Sequence, residues 1–305
     1  MHRIWLAVLL LGATQVSRGQ QEVPLDDFMQ SAEQWAKDNL DEDALRVLQS
    51  VDQDKVRAFF KDLERRSRGE QVIDLAQLKD TAKTILPLLE SYEETTPYAI
   101  WLKAQLDYLE VADEFRAANP PPRTKPSEPV PRAPNPSPEK EREVWTRKLA
   151  DRPWPKAAQP YVSRLKPIFA AQHVPPELVW LAEVESSFDR RARSPGGAAG
   201  LFQLMPATAK RYGLRTGLFD QRVKPEESAR AAAQYLRYLH GQFKDWRLAL
   251  AAYNAGEGTV KAAMKKHKAK TFDAVARYLP AETQMYVPRV EAVLLRREGV
   301  RLQNL

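Results

Sequence analysis

Residues 178–188 read LVWLAEVESSF, an apolar run that ends in two glutamates, Glu183 and Glu185. On a helix, residues three, four and seven apart share a face. Glu185 then lies below Leu181 and Leu178, and Glu183 below Val179 and Trp180. An ionised carboxylate away from water is costly unless something compensates it. Either the helix ends here and both glutamates reach solvent, or one is held for its chemistry. Apolar surroundings raise a carboxyl pKa. A glutamic acid that keeps its proton near neutral pH can give it to a leaving oxygen. The helix alone favours solvent; its surroundings shift the balance.

Helix signals continue on both sides of this run. Pro175-Pro176-Glu177 puts proline and an acidic side chain in a first turn. Pro206 opens ATAKRYG, which should stop near Gly213. Pro225-Glu226-Glu227 opens SARAAAQYLRYLHGQF, and Trp246–Tyr253 forms another helix before Gly256. Thr271 is placed to cap FDAVARY, and Glu282–Arg297 carries the last helix. No stretch shows a convincing strand pattern. Residues 142–305 are expected to form an all-α domain with its own core.

Within that domain several chemistry-bearing residues recur beside glycines and helix ends. SPGGAAGLFQLMPATAK, residues 194–210, is a small-residue loop running into a helix. Gly196, Gly197 and Gly200 are three of the 12 glycines in the chain, and such a loop lets backbone approach a ligand closely. It lacks the spacing and the Lys-Ser/Thr ending of a phosphate loop, which disfavours nucleotide binding. Gln203 offers one donor group and one acceptor that could read an amide or a sugar hydroxyl. Tyr253-Asn254 sets an aromatic face beside an amide just before Gly256, a pairing suited to sugar and equally to a helix terminus. Glu282 and Tyr286 lie one helical turn apart, so the phenol could donate to a neighbouring acid or simply belong to the core.

The upstream chain has a different character. NPPPRTKPSEPVPRAPNPSPE, residues 119–139, carries nine prolines and reads as an extended spacer over 119–141. Residues 20–118 read as a small helical bundle. Ile73, Leu75, Leu78, Ile85, Leu88 and Leu89 recur at helical spacing, and Ile100, Leu102, Leu106, Leu109 and Val111 repeat the pattern. Asp41, Asp43 and Asp54 read as solvated faces and caps, not metal ligands. Residues 1–19 resemble a secretory signal: a short basic start, an apolar run from Ile4 to Gly12 and small residues before Gln20. That run is too short to span a bilayer easily, so cleavage and no stable membrane anchor are expected.

The chain has no cysteine, which excludes disulfides, thiolate catalysis, Cys-ligated zinc and a lipid on an N-terminal cysteine. Its four histidines, at 2, 173, 240 and 267, form no ligand-spaced pair. No metal or other cofactor is called for. The formal charge is +7, but residues 142–305 alone hold 29 Lys+Arg against 15 Asp+Glu. That field attracts an anionic partner: nucleic acid, lipid or acidic wall polymer. KAAMKKHKAK, residues 261–270, concentrates five lysines, yet an export signal argues against nucleic acid.

Taken in order, Glu185-Ser186, Gly200-Leu201-Phe202-Gln203, Ala252-Tyr253-Asn254-Ala255-Gly256 and Glu282-Thr283 with Tyr286-Val287 resemble the catalytic domain of bacterial lytic transglycosylases of the soluble, goose-lysozyme-like kind. The resemblance covers about residues 145–300. Phe202 stands where the family pattern has Met, an apolar exchange that would reshape a cleft wall. The resemblance implies a lysozyme-like fold and peptidoglycan as substrate. Glu185 would be the acid/base that cuts between N-acetylmuramic acid and N-acetylglucosamine and yields a 1,6-anhydro product without water. Ser186, Gln203, Tyr253, Asn254 and Tyr286 would support the acid and bind sugar.

The alternatives are a goose-type muramidase, with Asp189 or Asp220 activating water, and a non-catalytic wall-binding protein. The implied location is periplasmic or secreted. The N-terminal bundle is left available for a protein partner of unknown kind.

Overall fold

The computed structural model describes residues 53–119, apart from 92 and 94, and residues 134–305. The signal sequence at 1–19, the chain as far as residue 52 and most of the Pro-rich stretch lie outside the described residues.

The described chain is all-α. α1 (Gln53–Arg68), α2 (Lys79–Glu90) and α3 (Thr96–Ala118) precede α4 (Pro138–Leu149) and α5 (Gln159–Ala171). α6 (Leu181–Ser186), α7 (Pro206–Arg211), α8 (Pro225–Phe243) and α9 (Trp246–Ala255) follow. α10 (Glu257–His267), α11 (Phe272–Val275) and α12 (Ala281–Glu298) complete the order. Short 3-10 turns join them, and among the described residues only two isolated bridges, Arg193 with Ala199 and Ala199 with Leu204, have strand-like pairing.

Several expected helices differ in detail for local reasons. The stretch from Val72 begins as a 3-10 turn, and α2 then buries Ala82, Ile85 and Leu89 while Leu88 stays 44% exposed. Pro176–Trp180 also winds as a 3-10 turn, so α6 has six residues. α4 starts inside the stretch read as spacer. Ser137 accepts the Lys140 amide at 3.3 Å, Pro138 sits in the first turn, and Glu139 and Glu141 follow. These are strong start signals that outweigh the proline content of the preceding segment.

α12 is the axis of the fold. It packs on α4, α9, α6 and the 176–180 turn, and also on α1 and the 72–78 turn. Side chains from both sides of the Pro-rich stretch join one hydrophobic core, with Leu102, Leu109, Trp145, Phe169, Trp180 and Val287 all but fully buried. Each large apolar group so buried stabilises the fold by about 1.5–3 kcal/mol. Polar ties cross the same seam: Ala281 donates its amide to Gly69 O at 2.6 Å, Gln284 donates to Glu70 O at 2.7 Å, and Arg193 donates its amide to Pro97 O at 3.1 Å. The N-terminal helices are therefore packed onto the helices that carry the candidate site.

α6 stops without a glycine. Ser187 and Phe188 take φ of 52° and 63°. The Ser187 amide bonds Glu183 O at 3.1 Å and the Phe188 amide bonds Ala182 O at 2.9 Å, a paired helix terminus. Left-handed backbone costs a non-glycine residue roughly 1–2 kcal/mol. Phe188 offsets this by burying its ring edge-on against Trp180, 5.5 Å away.

Glu183 is one half of a buried ion pair. It is 3% exposed and receives Arg297 Nη2 at 2.7 Å and Nε at 2.9 Å. Arg297 also donates to the carbonyls of Arg152 and Pro153, both at 3.0 Å. Replacing Glu183 by Ala would leave that guanidinium buried without a counter-charge. Glu183→Ala should therefore lower the unfolding free energy by about 3–5 kcal/mol, as urea titration at pH 7 will measure.

Candidate active site

Four segments converge on Glu185: the end of α6, the 192–205 loop, the end of α9 and the first turns of α12. Glu185 is partly exposed, unlike Glu183. Tyr286 donates its hydroxyl to Glu185 Oε1 at 2.6 Å. Burial pushes the carboxyl up to about 8, and the nearby Glu282 adds to this, against the opposing Tyr286 hydrogen bond and the more distant Arg289 charge. Among the described residues, no Lys or Arg forms an ion pair with it. Two glutamates two residues apart thus meet opposite environments, one salt-bridged and one kept neutral.

Glu282, Tyr286 and Arg289 follow one another at four and three residues and so share a face of α12. Glu282 is itself shifted up by burial, despite the hydrogen bond from Asn254. Asn254 Nδ2 donates to Glu282 Oε1 at 3.3 Å, and its Oδ1 accepts the Thr283 hydroxyl at 2.6 Å. This fixes which end of the Asn254 amide points where. One N–H and one oxygen lone pair remain for a ligand.

The loop is built to hold its backbone close to the site. Gly200 has φ of +84°, and a Cβ there would lie 1.9 Å from the Arg222 carbonyl oxygen. Arg222, 5% exposed, donates to Gly197 O at 2.6 Å and to Leu204 O at 2.9 Å, while Asp220 grips its other nitrogens at 2.9 Å. Gln203 sits at φ of +43° and donates Nε2 to Ala192 O at 3.0 Å and Gly200 O at 2.9 Å. Its Oε1 is buried with no hydrogen-bond partner. An amide acceptor in that state is costly until something donates to it.

The other candidates fall into place around these. The Tyr253 hydroxyl donates to Phe202 O at 2.7 Å, which leaves the ring, not the hydroxyl, as its free surface. That ring continues to Tyr235 at 5.4 Å and from there to Tyr212 at 5.7 Å. Ser186 is fully buried, and its one hydroxyl proton is shared between Ala182 O at 3.1 Å and Leu201 O at 2.9 Å. It braces α6 against the loop; Tyr286 is buried as well, whereas Gln203, Tyr253 and Asn254 are partly exposed.

Asp189 is tied to Arg191 at 2.8 Å, and Asp220 to Arg222 and Arg193. Both acids are held below their ordinary range: each is opposed by burial, yet hydrogen bonds from those arginines prevail. Two open hollows on the surface, one lined by Arg211, Tyr212, Arg237 and Tyr238 and one by Tyr161, Phe188 and Asp189, do not include Glu185.

Glu185 and Tyr286, both singled out in the sequence, are in contact, whereas the hold of Glu282 on Asn254 and the neighbours supplied by α3 have no sequence signal. The four-residue step from Glu282 to Tyr286 carried the first signal. Nothing in the sequence connects α3 to α6.

Residues 168–276 match the transglycosylase SLT domain. The chain is similar to membrane-bound lytic murein transglycosylase D of Escherichia coli, 40% identical over 154 residues, or 48% of this chain and 34% of that protein. It is also similar to a putative tributyltin chloride resistance protein of an Alteromonas species, 35% identical over 138 residues, or 44% of this chain and 67% of that protein. Among solved structures it aligns with the 70 kDa soluble lytic transglycosylase SLT70 from Escherichia coli at a TM-score of 0.42 and 20% identity, over 73% of this chain and 35% of that one. The chain thus spans about a third of the length of the first of these relatives.

Two outcomes follow from this geometry. Gly200→Ala should lower the melting temperature and cost more than about 1 kcal/mol, since the backbone of Arg222 would have to move. The second concerns pH. A carboxyl whose folded pKa is raised stabilises the fold below its unfolded value, and that contribution is lost as pH rises through the folded pKa. Relative to Glu185→Gln, the wild type should lose about 1.4 kcal/mol per pH unit between about pH 4.5 and 8. Chemical denaturation of both proteins at pH 5, 7 and 9 checks this; parallel curves would mean the carboxyl is not perturbed. The ordered motifs, the glycine loop and the matched segment together place this chain in the transglycosylase SLT family.

Proposed function

We propose that the protein is a peptidoglycan lytic transglycosylase. It breaks the β-1,4 bond between N-acetylmuramic acid and N-acetylglucosamine with Glu185 as the single acid/base. The observation that carries this reading is the partly exposed Glu185 carboxyl, pushed up to about 8 and held by Tyr286. With Oε1 accepting from Tyr286, the acidic proton belongs on Oε2. From there it passes to the glycosidic oxygen as that bond opens. The carboxylate so formed then takes the proton of the muramoyl 6-hydroxyl, whose oxygen closes onto C1 as a 1,6-anhydro ring. No water enters the product.

Tyr253 is assigned as a sugar-stacking ring, and Asn254 and Gln203 as amides that read hydroxyl or N-acetyl groups. Ser186 supports from behind. A hydrolase would need a second carboxylate to activate water. The two aspartates considered for that task, Asp189 and Asp220, are engaged by arginines. The basic field of residues 142–305 favours an anionic wall polymer, and action on murein favours a periplasmic or secreted location. Among the described residues, no helix is long and apolar enough to cross a membrane.

Purified sacculi digested with the full chain should release 1,6-anhydromuropeptides, each lighter by one water than the hydrolytic product. Glu185→Gln should lower that release by about 10²–10⁴-fold. Reducing-end muropeptides would instead identify a muramidase. Unchanged release by the Gln variant would identify a site elsewhere.

A further inference from the structure

α3 lies outside the matched segment, yet its residues reach the back of the site. Arg289 is 2% exposed and follows Tyr286 by three residues on α12. Its guanidinium is drawn to α3: Nη1 donates to Ala104 O at 2.9 Å, and Nη2 donates to Asp107 Oδ2 at 2.8 Å. It lies over the Tyr108 ring at 4.6 Å and the Trp145 ring at 5.2 Å. A buried cation one turn from the holder of an acid favours the ionised acid. Here that cation is matched by an anion from a distant part of the chain.

We infer that Asp107 is a positioning residue for the acid: it anchors Arg289 on α3 and cancels its charge, so that Glu185 keeps its proton. The inference rests on Glu185 being the acid of the proposed reaction. Asp107 is suited to the task because its own charge is permanent. Burial opposes its ionisation, but Arg289 and Arg152 hold it at about 2. Arg152 binds it twice, at 2.7 and 2.8 Å, and Lys148 lies 3.7 Å away.

The other groups around Glu185 do not substitute for this match. On α12, Tyr286 donates to it and Glu282 is engaged by Asn254. On α3, Tyr108 is a phenol that burial keeps neutral, and its environment includes Arg289, Glu282 and Glu185. On α9, Tyr253 is likewise kept neutral by burial. On α6 itself, Glu183 is consumed by Arg297. Beyond α6, Asp189 is consumed by Arg191. Arg68, from α1, acts on Glu282. Burial and the Tyr286 hydrogen bond weigh most at Glu185, and Arg289 is the cation that acts on it.

The test is the Glu185 carboxyl titration, read by carbon NMR on full-length protein labelled at glutamate side chains and assigned with Glu185→Gln. In Asp107→Asn the midpoint should fall from about 8 by about one unit, an approximately tenfold loss of the protonated form at alkaline pH. The alkaline limb of kcat on sacculi should move with it. Asp107→Asn combined with Arg289→Met should return the midpoint to the wild-type value or above. Arg289→Met alone, which leaves Asp107 paired with Arg152, should raise it and serves if Asp107→Asn does not fold. An unmoved midpoint in folded Asp107→Asn or Arg289→Met, or a fall that the double variant does not reverse, would overturn the inference. The NMR midpoint needs no turnover, so it stands apart from the identity of the reaction.

Discussion

The hydrogen bond from Tyr286 to Glu185, made where burial denies the carboxyl most of its water, is the contact on which the site depends. It orients one oxygen and leaves the other to carry a proton. The rest of the chain makes this possible by sending charge elsewhere. Glu183, on the same short helix, is fully occupied by Arg297. Arg222 is gripped by Asp220 and spends its spare donors on loop carbonyls. Arg289 is turned toward Asp107. The buried Arg222, Arg289 and Arg297 each have an anion other than Glu185, and burial raises the Glu185 carboxyl to about 8. Like groups in unlike surroundings taking opposite protonation states is a general route to acid chemistry at neutral pH.

Much of this was legible in the sequence, because helix signals and short motifs are local. Pro206, Pro225, Thr271 and Gly256 mark their helix ends where proline, capping hydroxyl and glycine geometry require them. Glu185 and Tyr286 could be paired because their motifs came in a recognisable order. What could not be read depends on contacts far apart in the chain. The Glu183–Arg297 pair is separated by 114 positions and Arg289–Asp107 by 182. The direction of the Ser186 side chain is a related case: the hydroxyl next to Glu185 is turned inward by helix geometry, to Leu201 O.

The N-terminal helices appear in a different light once packed. Read alone, α3 is an amphipathic helix with no chemistry of its own. In place, it buries Tyr108 against Trp145 and supplies Asp107 to α12. The surroundings of Glu185 then draw on residues from well beyond the 168–276 segment. Electrostatic tuning of an acid from behind needs only charge and burial, not contact with substrate. It is accordingly hard to see in motif comparisons, which weigh residues that touch the ligand.

The central claim is that Glu185 holds its proton at neutral pH. Infrared difference spectroscopy, wild type minus Glu185→Gln, measures it directly as a function of pH. A protonated-carboxyl band that persists through pH 7 and is lost near pH 8 is the predicted result. A band already gone by about pH 5, as for an ordinary glutamate, would contradict the account.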